Sequence, residues 1–474
     1  SLAADGSLNL AGAPLTIANN STLDGKLNIT GGVMDISGTT LTLNGGLDWG
    51  GTATITGGTI HINSAFNISA GVSNVFNGVV ANIAGNTTYT GGALGLQNGA
   101  VINNSGIFDF AGTLGITGDG PPAAFNNLDG ALVIKSAGAL SGLTGVTTTN
   151  QGSVDVQTGT LDLNLVTWTL GAGDTFSGSG TYNGSVVNTG GIVRPGGADN
   201  IGVLSISGNY TQNGGLLEVE VNGGGTTPGL DYDQFVVGAS ASWTSTTAAL
   251  DISYLNNGYV PSVGDTHVLV TCGGGCAGGV ADMGPITDPD GVTYSFTNAG
   301  LSYSATIDSV LFAWDGGGDG VNWFDGDNWL FNVTPNATID AVISAGNTVN
   351  IVFDSDAGPA AVNSLTLGGN LDIINDGSLT STSGLVVNPG ASLTVNVGLG
   401  GLTNNGDAAI NGSLALLNGN LNLAGNTVVN GSYSQSGGNA GFTGALTVNG
   451  SYSQSGGSAV FNGGTSDPGS FSQG

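Results

Sequence analysis

The sequence predicts an all-β protein, a right-handed parallel β-solenoid with about 19–23 residues per coil, arranged as two tandem modules. Three observations support this prediction. The chain is rich in glycine and nearly free of charge, its apolar residues form short alternating runs that end at Gly or Asn, and its internal sequence repeats recur at a regular spacing close to the length of one such coil. Repeats of this length are typical of solenoids, in which successive coils stack and share one apolar core.

Composition excludes several other classes of protein. Of 474 residues, 89 are Gly and only 7% are charged, against roughly 25% charged in an average globular protein. The acids are 30 Asp and two Glu, so the charged residues that favour helices are scarce. A hydrophobic content of 39% is too high for a disordered chain, and no apolar run reaches the ~18 residues of a membrane helix. With three basic residues and a net charge of −29, we expect neither a nucleic-acid partner nor membrane insertion.

The clearest repeat lies near the end of the chain. The ten residues Val429–Gly438 recur identically as Val448–Gly457, an offset of 19, and Gly469–Gln473 begins a third copy with Phe in place of Tyr. The same frame, Gly-x-Tyr-x-Gln-x-Gly-Gly, occurs at Gly208–Gly215. Alternation of Tyr and Gln with small residues predicts a short strand, and the Gly pair predicts a turn. The aromatic residues of these repeats are therefore predicted to form a stacked ladder.

A second repeat runs through the first half of the chain. An Asn followed closely by Gly opens a short strand at Asn104, Asn127, Asn150 and Asn188, with spacings of 23, 23 and 38. The strands themselves are three to five residues long, as in Leu41-Thr42-Leu43. Such strands are too short to build a core as hairpins, but stacked in parallel they share one. Gly and Asn suit the corners, since they accept positive φ.

The regularity of the repeats changes along the chain. We predict a first solenoid module over residues 1–242, a less regular closing section over 243–312, and a second module over 313–474 that is cut within a repeat. The closing section contains the only cysteines, Cys272 and Cys276, in Cys-Gly-Gly-Gly-Cys. In a secreted chain with so few cysteines we expect a disulfide, because three glycines permit the tight loop it needs. Two free thiols, or a redox or metal role, are the alternatives.

The segment that opens the second module reads Trp314-Asp-Gly-Gly-Gly-Asp-Gly-Val-Asn-Trp323 and is followed by Asn328-Trp329, Pro335 and Asp340. It resembles the module opener of large bacterial surface proteins built of β-solenoid repeats, including autotransporter passengers and filamentous-haemagglutinin-like adhesins. Four further segments are similar to the closing section of such a passenger module: Pro195–Gln212, Leu217–Val221, Tyr232–Val237 and Pro261–Leu269. The resemblance implies a β-solenoid at a bacterial surface. It implies no single activity, since the group includes adhesins, proteases, esterases and inert stalks.

Four aspartates lie close together in this opening segment: Asp315, Asp319, Asp325 and Asp327. Calcium takes carboxylate and carbonyl oxygens from loops, so these residues are the candidate calcium ligands. The alternative is that they form Asx turns beside glycines. No other cofactor is predicted.

Three tryptophans of the same segment, Trp314, Trp323 and Trp329, form a second candidate site. One interpretation is that they close the open end of a solenoid core, where inward aliphatic residues would otherwise meet water. The other is a platform on which sugars of a glycan stack.

Catalysis is not predicted. A nucleophile needs a base beside it, and His61 and His267 are the only histidines. A hydrolase that uses two carboxylates would draw on Asp-x-Asp pairs, but such pairs also arise wherever a strand turns its polar side to water. The nearest pairs are Asp231 with Asp233 and Asp354 with Asp356.

The features together favour a structural role outside the cell. The last repeat unit stops at Gly474, midway through a coil and without a visible cap. A bare coil exposes unpaired N–H and C=O groups, so we expect either that the chain continues or that the next subunit covers it. The leading hypothesis is a subunit of an extracellular bacterial filament or surface layer that assembles with itself head to tail. The alternatives are an adhesin or stalk that binds glycans or host matrix and, third, a polysaccharide-degrading enzyme.

Overall fold

The computed structural model of the protein describes residues 6–69, 73–119, 122–244, 249–255, 259–278, 286–287, 292–352, 358–466 and 469–473. Its strands stack in parallel into a β-solenoid of about 21 residues per turn. The fold class predicted from the sequence is confirmed. Among the described residues, the helical segments are two 3₁₀ turns, Gly326–Asn328 and Leu330–Asn332.

The strands up to residue 221 are β1 (Ser7–Ala11), β2 (Leu15–Thr16), β3 (Ser21–Leu23), β4 (Lys26–Asp35), β5 (Thr40–Leu43), β6 (Leu47–Trp49), β7 (Ala53–Thr56), β8 (Thr59–Ile62), β9 (Phe66–Ile68), β10 (Asn74–Asn77), β11 (Val80–Ile83), β12 (Thr87–Tyr89), β13 (Leu94–Gln97), β14 (Val101–Asn104), β15 (Ile107–Ala111), β16 (Leu114–Gly118), β17 (Ala124–Asn127), β18 (Leu132–Ala137), β19 (Leu140–Thr144), β20 (Thr147–Asn150), β21 (Ser153–Val156), β22 (Thr160–Asp162), β23 (Thr167–Leu170), β24 (Thr175–Gly178), β25 (Thr181–Tyr182), β26 (Ser185–Pro195), β27 (Val203–Ile206) and β28 (Tyr210–Val221).

The later strands are β29 (Gln234–Val237), β30 (Ser240–Trp243), β31 (Ala249–Tyr254), β32 (Thr266–Cys272), β33 (Gly275–Ala277), β34 (Ile286–Thr287), β35 (Val292–Asn298), β36 (Ser302–Ala313), β37 (Asp340–Ile343), β38 (Thr348–Val352), β39 (Ala360–Leu367), β40 (Asn370–Ile374), β41 (Ser378–Val387), β42 (Ser392–Asn404), β43 (Asp407–Ile410), β44 (Ser413–Leu423), β45 (Thr427–Val429), β46 (Ser432–Gln435), β47 (Asn439–Phe442), β48 (Leu446–Val448), β49 (Ser451–Gln454), β50 (Ser458–Phe461), β51 (Thr465–Ser466) and β52 (Ser470–Gln473).

The chain forms two compact units. The first contains the described residues of 1–253, 266–287 and 295–306, and the second contains those of 254–265, 288–294 and 307–474. The longest stretch of the second unit begins at residue 307, and the division into modules at 312 stays a prediction. The first unit also contains an antiparallel pair, in which β32 runs against the first part of β36.

Parallel pairing in register builds the core of the first unit. Ile29, Trp49, Ile68, Tyr89 and Phe110 occupy the same position in five successive coils. All five side chains are fully buried. Because side chains alternate along a strand, each inward residue is flanked by outward polar or small residues, which explains the short alternating runs in the sequence.

The corners explain the Asn and Gly of the repeats. Asn104 and Asn127 lie on adjacent coils and are buried, and Asn104 Nδ2 donates to Asn127 Oδ1 at 2.8 Å. Asn104 Nδ2 also lies 3.2 Å from the carbonyl oxygen of Gly106, across the corner. At another turn, in a later coil, a Cβ on Gly431 would lie 1.9 Å from the carbonyl oxygen of Gly412. Close contact between stacked corners therefore requires glycine there.

Each regular coil of the second unit contributes one strand to each of three stacks. Face 1 contains β37, the second halves of β39 and β41, then β43, β45, β48 and β51. Face 2 contains β38, β40, the first halves of β42 and β44, then β46, β49 and β52. Face 3 contains the first halves of β39 and β41, the second halves of β42 and β44, then β47 and β50.

Candidate functional site

The segment of residues 314–329, called the cap segment below, lies against the first coil of the second unit. Trp314 N donates to the carbonyl oxygen of Val342 in β37 at 2.8 Å. Trp323 N donates to the carbonyl oxygen of Asn350 in β38 at 3.0 Å, and Asn350 N donates back to the segment at 2.8 Å. The segment thus pairs with the edge of β38 and extends to the end of β37 the pairing that β36 makes with that strand.

The three tryptophans of the cap segment pack against one another. The ring centroid of Trp329 lies 5.0 Å from that of Trp314 and 4.7 Å from that of Trp323, both edge to face. Trp329 Nε1 also donates to the carbonyl oxygen of Trp323 at 2.8 Å. None of the three rings is more than 3% exposed. The rings therefore offer no open face to a sugar, and the contacts favour the closing of the core over the glycan platform.

The aspartates of the cap segment accept hydrogen bonds from nearby backbone amides. Asp319 Oδ1 accepts from Val321 N at 2.9 Å and from Asn322 N at 2.7 Å, and these amides lower the pKa of the Asp319 carboxyl. Asp325 and Asp315 make similar contacts, with Asp327 N and Gly317 N respectively. Over the described residues, no three His, Cys, Asp or Glu side chains lie close enough together to hold a metal ion. The arrangement is that of Asx turns, and calcium binding stays a prediction.

The side chain of Asn328 holds this loop in place through hydrogen bonds. No motif around Asn328 in the sequence predicts this role. Its side chain is fully buried. Asn328 Oδ1 accepts from Gly320 N at 2.7 Å and from Gly318 N at 3.1 Å, while Nδ2 donates to Asp319 Oδ1 at 2.8 Å and to the carbonyl oxygen of Asn322 at 3.0 Å. Four hydrogen bonds from one amide hold the glycine-rich turn in one conformation.

Cys272 and Cys276 form a disulfide, with their Cα atoms 5.5 Å apart. The bridge closes the turn between β32 and β33, and both side chains are buried. The Gly-Gly-Gly between them forms the turn, as the short loop requires.

The acidic pairs considered for hydrolysis do not form an open site in the described part of the chain. Asp233 is completely buried, whereas Asp231 is half-buried and accepts from Thr227 N at 2.8 Å. Asp354 and Asp356 lie outside the described residues. A completely buried carboxylate beside a half-buried one does not place two acids on either side of a bound sugar.

Asp233 instead links its own segment to two others of the first unit, at Gly202 and Glu220, through hydrogen bonds. Its Oδ1 accepts from Gly202 N at 2.7 Å and its Oδ2 accepts from Glu220 N at 3.0 Å. Burial raises the pKa of Asp233 to about 8, although the two amides act in the opposite direction. Burial also raises the pKa of the neighbouring Glu220 carboxyl.

We expect the first unit to lose stability as the pH rises from about 5 to about 9. A carboxyl whose pKa is raised in the folded state binds its proton more tightly there, so its contribution is fully present below the ordinary value of 3.8 and is lost as the pH rises through about 8. Measuring the thermal unfolding of the wild type and of Asp233→Asn at several pH values between about 5 and about 9 tests this expectation. The variant should show a flatter dependence, because an amide does not titrate. Equal slopes for both proteins would contradict the assignment, since the general repulsion of 32 acids would then explain the trend.

The two histidines lie in different surroundings. His61 is on the outer side of the stack formed by β3, β5, β8, β11, β14, β17 and β20, with its Nδ1 3.5 Å from Asn82 Nδ2. His267 is buried, its Nε2 lies 3.2 Å from the carbonyl oxygen of Gly223, and its ring packs edge to face on Tyr232 at 4.9 Å.

The repeats near the end of the chain contain the predicted ladder of aromatic residues along the coil axis. Tyr433, Tyr452 and Phe471 pair in register, with ring centroids 4.8 Å and 4.3 Å apart. The two tyrosines are buried, so the ladder lies inside the core, and burial raises the pKa of Tyr452 to about 12. Gln473 Nε2 donates to Gln454 Oε1 of the coil before it at 3.0 Å.

Sequence reasoning missed one charged residue that the structure places inside. Lys135 is fully buried, and its Nζ donates to the carbonyl oxygens of Gly112 at 2.9 Å, Gly138 at 3.1 Å and Ala137. Burial lowers the pKa of this ammonium. Side chains alternate between the two sides of β18, so Lys135 lies on the buried side together with Val133. This alternation is the one signal in the sequence that indicates the burial of Lys135.

No protein-family model matches the chain. No curated protein matches it either. Within the described residues, no helix is both long and apolar enough to cross a membrane.

Proposed function

We propose that the protein is a structural subunit of an extracellular bacterial filament or surface layer, in which copies stack head to tail, coil upon coil. The observation that carries this proposal is the register of the terminal repeats. Ser432, Ser451 and Ser470 pair with one another, as do the residues that follow each of them. A coil of this sequence therefore accepts a nearly identical coil as its neighbour.

The size of the coils supports the same proposal. The first described coils and the terminal coils have the same length, since Ser7 pairs with Lys26 and Ser451 pairs with Ser470. Middle coils are larger, since Asn104 pairs with Asn127. Coils of equal length can continue one strand ladder across a contact between copies, and a head-to-tail contact that does not close into a ring produces a filament.

The proposed location outside the cell rests on two features of the chain. The disulfide between Cys272 and Cys276 suits an oxidising compartment. The resemblance of the cap segment to bacterial surface proteins points in the same direction. We propose a non-enzymatic role without a cofactor, and self-association as the main interaction. An adhesin that used Trp323 or Trp329 to bind glycans would need rings that reach the surface, whereas both are buried.

Purified protein is expected to form linear filaments visible by electron microscopy above a critical concentration. Phe471→Ser removes the aromatic ring that stacks on Tyr452 and should raise this concentration about 10- to 100-fold, since burying an aromatic side chain contributes about 1.5–3 kcal/mol. Val166→Ser, at a side chain that is 90% exposed in the first unit, is the control and should have no effect. Wild-type protein that stays monomeric at every concentration would refute the proposal.

A further inference from the structure

Asparagine followed by glycine occurs at two series of corners in the second unit. Asn411, Asn430 and Asn449 lie between faces 1 and 2 in successive coils. Asn405 and Asn462 lie between faces 3 and 1, with two coils between them. All five are at least partly exposed, so water reaches both series. An Asn-Gly pair is chemically reactive, because the glycine N is not shielded by a side chain and can attack the Asn Cγ.

The Asn side chains between faces 1 and 2 form a ladder of amides. Asn430 Nδ2 donates to Asn411 Oδ1 at 2.7 Å, and Asn449 Nδ2 donates to Asn430 Oδ1 at 2.8 Å. Gly431 N donates to the carbonyl oxygen of Ile410 in the coil before it at 2.8 Å, and the glycines after Asn411 and Asn449 donate in the same way at 2.9 Å. Hydrogen bonds therefore hold both the attacking nitrogen and the amide that it would attack.

The corners between faces 3 and 1 lack this arrangement. The residue at the position of Asn405 in the next coil is Ala424, and the residue at the position of Asn462 in the coil before it is Thr443, so no ladder of amides forms. Within the part of the chain that the structure describes, neither Asn side chain makes a hydrogen bond, and the N–H of the glycine after each donates none. Both reacting groups are therefore unrestrained by hydrogen bonds at these two corners.

We propose that Asn405 and Asn462 are sites of spontaneous deamidation, from which the amide ladder protects Asn411, Asn430 and Asn449. The glycine N attacks the Asn Cγ and the Cγ–Nδ2 bond breaks. The proton of the glycine N–H passes to the departing nitrogen, which leaves as ammonia, and a cyclic imide remains. Water then opens the imide at either carbonyl and gives aspartate or isoaspartate. The reaction needs no oxidant or reductant, and it replaces a neutral amide by a carboxylate.

Deamidation changes the corner in two ways. The new carboxylate at residue 405 lies two residues from the exposed Asp407, in a chain whose net charge is already −29, so it adds repulsion. In isoaspartate the main chain runs through the former side chain, which lengthens the corner. A Cβ on Gly406 would already lie 1.8 Å from the carbonyl oxygen of Ser383, so the stacked corners have no room for a longer backbone. The modified corner therefore fits the coil before it less well.

Incubation of the wild-type protein in a mildly alkaline buffer, followed by chymotryptic digestion and mass spectrometry, measures the conversion of each Asn. We expect Asn405 and Asn462 to convert about tenfold faster than Asn430 and Asn449, because no hydrogen bond has to break first. The same chain unfolded in urea is the control, and all four should convert there at similar rates. Equal rates in the folded protein, or a difference that persists in urea, would overturn the proposal.

Ala424→Asn is the matched variant, since it places a second amide beside Asn405 at an exposed position. The new side chain should donate to Asn405 Oδ1, as Asn430 donates to Asn411. Slower conversion of Asn405 with unchanged conversion of Asn462 is the expected result, and an unchanged melting temperature checks that the variant folds. Conversion of Asn405 at the wild-type rate would overturn the protective role of the amide ladder.

Discussion

Replacing Trp329 by alanine is expected to lower the free energy of unfolding of the second unit by about 3–5 kcal/mol. Trp329 is fully buried between Trp314 and Trp323, and its Nε1 donates to the backbone of Trp323. Truncation leaves a cavity and removes the hydrogen bond. The cap segment would then pair less firmly with the end of β37 and with β38, exposing the edge of β38. Urea unfolding followed by near-ultraviolet circular dichroism measures the change, and hydrogen exchange in β37 and β38 shows where it acts.

Two further variants test whether the loss of stability comes from the packing of Trp329 or from any change in the cap segment. Trp329→Phe keeps an aromatic ring but loses the N–H donor, so its effect should be less than half that of Trp329→Ala. Phe324→Ala changes a half-buried ring in the same segment and should cost about 1 kcal/mol or less. A loss for Trp329→Ala no greater than that for Phe324→Ala would mean that the tryptophan cluster does not close the core.

The fold was predictable because its signals are periodic. The offset between the two identical segments near the end of the chain implies the length of one coil, and the structure pairs Tyr433 with Tyr452 at that same offset. Inward and outward positions follow alternation within each short strand. The sequence also placed Asn104 and Asn127 at equivalent corners, since their spacing is one coil.

The sites were less predictable, because they depend on contacts between residues that no period relates. Asp233 accepts hydrogen bonds from Gly202 and Glu220, which lie 31 and 13 residues away. The four aspartates of the cap segment were grouped by sequence proximity, yet the carboxylates of Asp315, Asp319 and Asp325 accept from separate backbone amides. Spacing along a loop does not determine which way its side chains point.

Replacing Lys135 by methionine is expected to destabilise the first unit by roughly 2–3 kcal/mol. Methionine fills a similar volume but cannot donate to the carbonyl oxygens of Gly112, Ala137 and Gly138, which Lys135 Nζ contacts. Ser141 Oγ also donates to Gly112 O at 2.9 Å, so that oxygen keeps a side-chain donor, whereas the carbonyl oxygens of Ala137 and Gly138 lose the one that Lys135 provides. Relief of the buried charge offsets part of the loss, because burial already lowers the pKa of this ammonium.

Lys26→Met is the matched control, since it makes the same change at the only other lysine. Lys26 Nζ lies 2.6 Å from Asp48 Oδ2, but the two side chains are 41% and 36% exposed. Water screens such a pair, so the control should cost no more than about 1 kcal/mol. Denaturant unfolding of both variants gives the two values. If Lys135→Met were as stable as Lys26→Met, the hydrogen bonds from the buried ammonium to the carbonyl oxygens of Gly112, Ala137 and Gly138 would not stabilise the first unit.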